Sequence, residues 1–213
     1  FLKLEGLPSK PFKIEDRSTW SETDEILIYE KHMTNGTYVI TGLKKDVEEL
    51  IIPESIDGVD VSEINKFAFQ YNSKLKKVIL PDTLRYIHSY AFDCCYNLED
   101  INFPSSLIEI GERAFAQTNL KEVVFNSGVV LKTRVFQKCE NLRIVDAGYD
   151  IIYINDEVFK ECRNLWSIKI NNKTTTNHIK GYNIFQGCSS LIEVTIPNRV
   201  RIINDFVFSD CSS

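Results

Sequence analysis

The side chains that could do chemistry in this sequence are three histidines, six cysteines and several pairs of neighbouring acids. A zinc site needs His or Cys ligands at characteristic short spacings. His32, His88 and His178 each lack such a partner, and no Cys-x-x-Cys pair occurs. The Gly-x-Ser-x-Gly elbow, the His-Glu-x-x-His helix and the Gly-rich phosphate loop are missing as well. The sequence therefore predicts no metal, cofactor or catalytic site, and an enzyme is the least favoured function.

Acidic pairs such as Glu48-Glu49, Glu99-Asp100 and Asp156-Glu157 are the remaining candidates for acid–base chemistry. Nothing in their spacing indicates a paired acid and base, and carboxylates are common on solvated surfaces. Asp24-Glu25 is equally weak as a calcium site because no EF-hand loop surrounds it. We interpret all of these acids as solvated side chains.

Five of the six cysteines recur at one position, three residues after a Phe: Cys95, Cys139, Cys162, Cys188 and Cys211. Buried Cys behaves as a small hydrophobic residue, so this spacing predicts a ladder of reduced thiols rather than disulfides. Cys94 is the exception, and we expect it to be exposed and reactive. A disulfide between Cys94 and its neighbour Cys95 would be strained.

A hydrophobic residue followed by Phe recurs along the chain and defines a repeat. The Phe residues are spaced by 23, 23, 21, 23, 26 and 23 residues, and a Leu follows most of them by six. Recurrence at a fixed period is the signature of repeat architectures. The pairs are Ala68-Phe69, Ala91-Phe92, Ala114-Phe115, Val135-Phe136, Val158-Phe159, Ile184-Phe185 and Val207-Phe208.

The unit is Leu-x-x-Val-x-Ile-Pro-x-x-Leu-x-x-Ile-x-x-x-Ala-Phe-x-x-Cys-x-x, which is clearest from Leu98 to Asn119. Val-x-Ile alternation predicts a short strand with one buried face, and the Pro ends that strand because it has no N–H to donate. A unit of about 22 residues cannot bury its apolar side chains alone, whereas stacked units share one core. The first unit carries an insert around Gly58-Val59.

The composition limits the possible partners. The net charge is −5, with 43% hydrophobic and 26% charged residues. Phosphate backbones need clustered Lys and Arg, so nucleic-acid binding is disfavoured, and no apolar run approaches the length of a membrane span. The chain begins without Met and stops inside a repeat, so we expect it to be a mature or excised piece, truncated before further repeats or a cap.

The unit resembles the BspA-like, or Treponema-type, leucine-rich repeat. The matching residues run from Leu75-x-x-Val78-x-Leu80-Pro81 through Ile87 and Ala91-Phe92 to Cys95, with equivalents over about residues 47–213. The resemblance implies a cell-surface or secreted protein that adheres to host matrix proteins or to other cells, and it carries no catalytic motif. We expect a right-handed leucine-rich-repeat solenoid of the α/β type, mostly β, with short helical turns at the Ala-Phe segments.

The segment before the repeats does not follow the pattern. Ile26–Tyr29 and Thr37–Ile40 read as two strands, and Asn35-Gly36 between them is a strong hairpin turn signal. We expect residues 1–46 to form an N-terminal cap with a β-hairpin, and residues 47–213 to form seven repeats of about 23 residues. A separate binding function of the cap is the alternative.

The predicted partner-binding site is the outward side of the repeat strands. Ile51, Ile79, Val124 and Ile144 could form an exposed apolar stripe, although β-branched residues also simply favour strands. Trp166 stands at the edge of this side, and the polar insert at 171–177 is a second candidate. The predicted site consists of Ile51, Lys77, Ile79, Asn102, Glu122, Val124, Ile144, Asp146, Trp166 and Lys169.

We expect a monomeric surface or secreted module that binds a protein or a glycan, without nucleic-acid binding, membrane insertion or a cofactor. A structural spacer carrying other domains is the alternative, and an intracellular scaffold also fits because buried thiols suit a reducing compartment. Two sequons, at Asn35 and Asn172, matter only where secreted proteins are glycosylated.

Overall fold

The computed structural model describes residues 23–126, 128–147, 151–170, 178–179, 181–196, 200 and 202–212. Over this part of the chain the repeats form a solenoid of about six turns, which confirms the predicted fold class. Each turn has three sides: a strand of a front sheet, a strand of a back sheet, and a run of tight turns. The only helix in the described residues is α1, Thr23–Ile26, which precedes the first strand.

The front sheet is formed by the Val-x-Ile segments of the repeat. The chain passes this side in the same direction in every turn, so the strands are parallel. They are β3 Glu49–Ile51, β6 Lys77–Ile79, β8 Asp100–Ile101, β10 Glu122–Phe125, β12 Ile144–Ala147, β14 Ser167–Ile170 and β16 Glu193–Thr195. Strands β3, β6 and β8 pair as one group, and β10 to β16 pair as another.

The alternating apolar residues of the front sheet lie in register. Val123 pairs with Val145, and Val145 pairs with Ile168. All three side chains are fully buried. Burying an aliphatic side chain of this size stabilises the fold by about 1.5–3 kcal/mol. The alternating apolar residues of these strands therefore form one side of the core.

The back sheet is formed by the Leu-x-x-Ile segments, together with the N-terminal hairpin. Ile64, Ile87 and Ile110 follow one another in register and point into the core. The strands are β1 Leu27–Lys31, β2 Tyr38–Leu43, β5 Val59–Ile64, β7 Tyr86–Ile87, β9 Glu109–Ile110, β11 Val129–Leu131 and β13 Ile151–Ile154. Two further strands, β15 His178–Ile179 and β17 Ile202–Ile203, form a separate parallel pair.

The Ala-Phe segments form the third side, and they fold as consecutive tight turns where short helical turns were expected. Two residues of each segment have a positive φ, for example Tyr90 (62°) and Cys94 (59°) in one turn and Arg134 (61°) and Lys138 (58°) in another. A left-handed residue ends a helix. The backbone N–H groups instead donate to the next turn of the solenoid, as Phe92 N does to Ala114 O at 2.8 Å.

The repeated Phe residues form a continuous column inside this third side. Neighbouring rings from Phe69 to Phe208 are stacked, with centroids 4.9–5.7 Å apart. Each aromatic pair adds about 0.5–1.5 kcal/mol beyond the burial of its surface. The column therefore couples each turn to the next and fixes the repeat spacing.

The N-terminal hairpin adds to the back sheet. β1 pairs antiparallel with β2, and β2 pairs parallel with β5, so the hairpin lies beside the first turn of the solenoid. Gly36 has a φ of +74° in the connecting loop, in agreement with the predicted Asn-Gly signal. Residues 1–22 lie outside the described residues, and the division into a cap (1–46) and seven repeats (47–213) stays a prediction.

The insert of the first unit is a small hairpin. β4, Ser55–Ile56, pairs antiparallel with the start of β5 around Asp57 and Gly58, whose φ angles are 50° and 74°. Asp-Gly is a favoured pair for such a two-residue turn. The polar insert at 171–177, with the sequon at Asn172, lies outside the described residues.

Candidate functional site

The outward side of the front sheet, called the strand face below, carries two rows of side chains. Glu122 pairs with Ile144 across neighbouring strands, and Val124 pairs with Asp146. The first row is Glu49, Lys77, Asp100, Glu122, Ile144, Ser167 and Glu193. The second row contains Ile51, Ile79, Val124, Asp146, Lys169 and Thr195.

The predicted apolar residues occupy two separate places on the strand face. Ile51 is 60% exposed and pairs with the half-buried Ile79 at one end. Val124 is 46% exposed and lies diagonally from the half-buried Ile144, with Glu122 and Asp146 at the other two corners. These residues therefore do not form the continuous stripe that the sequence suggested, because Ile144 lies in the first row and Val124 in the second.

Two outward residues are used within the solenoid. Asn102 Oδ1 accepts a hydrogen bond from the backbone N–H of Leu80 at 2.7 Å, and Asn102 Nδ2 donates to Leu80 O at 2.9 Å. The amide thus extends the pairing of β6 and β8 beyond the end of β8. Ser167, which belongs to the first row, is 2% exposed and donates to Glu193 Oε2 at 2.8 Å.

Trp166 directly precedes β14, and Lys169 lies within that strand. The backbone of Trp166 bridges turns, since its N–H donates to Arg143 O at 3.0 Å and its carbonyl accepts from Glu193 N at 3.0 Å. The Trp166 and Lys169 side chains are half-buried. Their role in binding, like that of the other predicted site residues, stays a prediction.

The charges on this side of the molecule are unevenly paired. Lys76 Nζ lies 2.9 Å from Glu48 Oε2, Lys77 Nζ lies 3.6 Å from Asp100 Oδ2, and Lys121 Nζ lies 2.6 Å from Glu99 Oε2. Glu48, Asp100 and Glu99 are thus each matched by a lysine. Asp146, further along, has one carboxylate oxygen that is buried and lacks a hydrogen-bond partner.

The cysteine ladder is a structural feature and all six cysteines are free thiols. Each of the five recurring thiols donates to the carbonyl of the Phe in the preceding turn at 3.1–3.2 Å. Desolvation by burial raises the pKa of Cys139 to about 11 and the pKa of Cys95 and Cys188 to about 12. Thiolates are the reactive form, so these side chains are poorly suited to chemistry.

The expectation that Cys94 is exposed is wrong. Its side chain is 3% exposed, and Gln117 of the next turn donates to its sulfur at 3.2 Å. Burial raises the pKa of Cys94 above its usual range. The next turn covers this residue, and that neighbour is more than 20 positions away in the sequence.

A histidine pair flanks a buried carboxylate on the back sheet. Glu63 is 7% exposed; His88 Nε2 lies 2.7 Å from its Oε2, and His32 Nε2 lies 3.6 Å from its Oε1. These contacts link the hairpin to the first two turns. Among the described residues, no group of three or more His, Cys, Asp or Glu could hold a metal ion.

The sequence did not indicate the aromatic cluster on the surface of the tight turns. Phe67 is 48% exposed, its ring centroid lies 5.2 Å from that of Tyr90, and Lys66 Nζ stands 4.7 Å above the Phe67 ring. Both aromatic residues have left-handed backbones. A depression of about 290 Å³ nearby is lined by Leu43, Asp46, Ala68, Phe69 and residues 70–74. The cluster depends on the left-handed conformation of the two turns. The spacing of apolar residues in the sequence does not indicate that conformation.

Comparisons with known proteins agree on the family and the fold. The model of the BspA type leucine-rich repeat region matches in six copies, over residues 30–143, 62–178 and 129–213. The structure is similar to that of a leucine-rich repeat protein from T. pallidum, with a TM-score of 0.73 and 27% identity over 82% of each chain. The comparison with curated proteins finds no match.

A second similar structure is a leucine-rich repeat protein from Bacteroides ovatus, with a TM-score of 0.59 and 26% identity. The match covers 87% of this chain and 55% of that chain, so this chain spans about half the length of that protein. No helix in the described residues is long and apolar enough to cross a membrane.

Proposed function

Because the chain belongs to the BspA-type leucine-rich repeat family, we propose that it is a binding module that holds a protein or glycan ligand against its strand face. The observation that carries this proposal is the exposure of Ile51 (60%) and Val124 (46%) on strands whose other sides are fully packed. The backbone of a packed sheet is already ordered before a partner binds. The entropic cost of binding to its exposed apolar residues is therefore small.

The proposed role is adhesion by a monomer at the cell surface or outside the cell. Support for it comes from the fold: the solenoid presents many parallel strands side by side, which is an extended surface suited to macromolecular ligands. The family is not typically enzymatic, and the buried thiols leave little reactive chemistry.

The test is a binding screen of the purified chain against arrays of matrix proteins and glycans. The Ile51→Asp/Val124→Asp variant is compared with Ile28→Asp/Ile203→Asp, in which two residues of similar exposure (44% and 45%) lie away from the strand face. We expect saturable binding that weakens at least about tenfold in the first variant, because each Asp must be desolvated in the complex, and stays unchanged in the second.

Binding that survives the strand-face substitutions would move the site to another surface, such as the aromatic cluster. A chain that binds nothing on the arrays would favour the alternative of a structural spacer. Circular dichroism of both variants checks that the solenoid remains folded.

A further inference from the structure

Ion pairs neutralise some of the charges on and beside the strand face. Lys77 lies 3.6 Å from Asp100, and Lys121, just before β10, lies 2.6 Å from Glu99, just before β8. An exposed ion pair of this kind has little net charge. The ion pairs of the described residues include neither Glu122 nor Asp146.

Glu122, Val124, Ile144 and Asp146 form a compact square, called the β10–β12 patch below. The pairing of Glu122 with Ile144 and of Val124 with Asp146 fixes its four corners. Neighbouring strands lie about 4.8 Å apart and alternate residues about 6.7 Å apart. The two acids therefore occupy one diagonal and the two apolar residues the other, and Val124 is 46% exposed.

Asp146 carries an unsatisfied acceptor within this patch. Its Oδ1 is buried without a hydrogen-bond partner, although Lys169 follows it in register on the next strand. No hydrogen-bond donor in the described part of the chain offsets the charge at this oxygen, so the carboxylate keeps its attraction for a cation that approaches the patch.

The local charge favours a cationic ligand. On β10, β12, β14 and β16, Glu122, Asp146 and Glu193 outnumber Lys169, and with the exposed Arg143 just before β12 the net charge is −1. The whole chain carries −5, so its long-range field also favours a cationic partner. Guanidinium and ammonium groups make the strongest hydrogen bonds to carboxylates.

We propose that the β10–β12 patch recognises a basic segment of a partner protein, in which Lys or Arg pairs with the exposed Glu122 and with the half-buried Asp146, beside an apolar residue that packs on Val124. This inference rests on the proposed function, because it names the ligand chemistry of the strand face. The partner segment is a protein rather than a glycan, since common glycans supply hydroxyl or acidic groups and no strong cation.

The probe is a displayed library of random linear 12-residue peptides selected on the immobilised chain. Selected sequences are synthesised and titrated by calorimetry against the chain and two variants. Glu122→Gln/Asp146→Asn removes both charges with little change of shape. Glu49→Gln removes one exposed acid of the same face, at its other end, and is the matched control.

We expect the selected peptides to be enriched in Lys or Arg next to an apolar residue. Their affinity should fall at least about tenfold in Glu122→Gln/Asp146→Asn, stay within about twofold in Glu49→Gln, and weaken as salt is raised. The unfolding temperature of Glu122→Gln/Asp146→Asn should not fall, because no hydrogen bond to Asp146 Oδ1 is lost.

Peptides that lack basic residues but lose affinity with Val124→Asp would overturn this inference and leave the proposed function standing. Peptides insensitive to every strand-face substitution would overturn both. Failure to select any peptide would overturn the inference alone, because the array screen tests the strand face independently.

Discussion

The sulfur of Cys162 lies 3.1 Å from the backbone carbonyl oxygen of Phe136, in the preceding turn of the solenoid. The same relationship recurs in five turns, so the thiols hold the carbonyls of the Phe column. Two turns lack this cysteine. Thr118 occupies the position in one of them and its hydroxyl donates within its own turn, to Phe115 O at 2.9 Å, and Asn72 occupies it in the first turn. The thiol contact between turns therefore belongs to the five cysteine-bearing turns.

Cys162→Ala should lower the free energy of unfolding by about 1–2 kcal/mol, because it leaves a small cavity and an unsatisfied carbonyl. Cys162→Ser should lose less, since its hydroxyl can still donate to Phe136 O. Urea unfolding followed by circular dichroism measures both. Equal losses for the two variants would show that volume alone matters at this position.

The thiols should make the stability depend on alkaline pH. Burial raises the pKa of Cys139 to about 11 in the folded chain, against about 8.5 for an unfolded thiol. The folded state therefore holds this proton more tightly, and the contribution is complete below about pH 8.5 and lost as the pH rises toward 11. Urea midpoints measured between about pH 8 and 11 should fall, and Cys139→Thr should fall less steeply.

Thiol alkylation gives an independent check. At about pH 8 the native chain should react slowly at the five buried cysteines, including Cys94 at 3% exposure, because their thiolates are scarce and covered. The half-buried Cys211 should react faster. In guanidinium chloride all six should react rapidly. Mass spectrometry of the alkylated peptides would contradict the structure if Cys94 reacted first in the native chain.

Gly111 should tolerate no side chain, because a Cβ there would lie 2.4 Å from the backbone nitrogen of Ser89 and 2.7 Å from the carbonyl carbon of His88. Neighbouring turns would have to separate, so we expect Gly111→Ala to cost about 3 kcal/mol or more. Gly58→Ala is the control. Its Cβ meets nothing within 4 Å, and its positive φ should cost about 1 kcal/mol. Similar losses in urea unfolding would argue against the close approach of the two turns.

Lys138→Gly should preserve or raise stability by up to about 1 kcal/mol, since Lys138 has a φ of 58° and glycine adopts this conformation without strain. Lys132→Gly is the matched control. It lies outside the positive-φ positions and its Nζ is 3.0 Å from Glu109 Oε2, so it should destabilise the chain by about 0.5–1 kcal/mol. Lys132→Gly should lower the temperature of thermal unfolding, whereas Lys138→Gly should not, and a loss in both would refute the left-handed turn.

Several features of the fold follow from local sequence. The alternation in Val123-Val124-Phe125 predicts a strand and the side that faces the core, and the Asn-Gly pair before Thr37 predicts the hairpin turn. The recurring Phe and Cys predict their own columns, because identical positions of stacked units must meet. These predictions succeed because each depends on residues a few positions apart and on the repeat period.

Other features depend on contacts between turns, about 22 residues apart. In the Ala-Phe segments, N–H groups donate to the next turn of the solenoid. Left-handed residues such as Tyr90 and Arg113 therefore stand where helical turns were expected. Cys94 is buried because Gln117 covers it. The side-chain amide of Asn102 is hydrogen-bonded to the backbone of Leu80. Neither contact can be inferred from the spacing of apolar residues.

By itself, therefore, the sequence determined the solenoid, its strands and its core, because burial of a periodic apolar pattern has one efficient solution. Only the tertiary structure decided which outward side chains remain available. Ion pairs and hydrogen bonds between turns neutralise Lys77 and occupy Asn102, whereas they leave Asp146 Oδ1 without a donor. The physical reason is that polar satisfaction depends on distances and angles between neighbouring turns, which a sequence period does not specify.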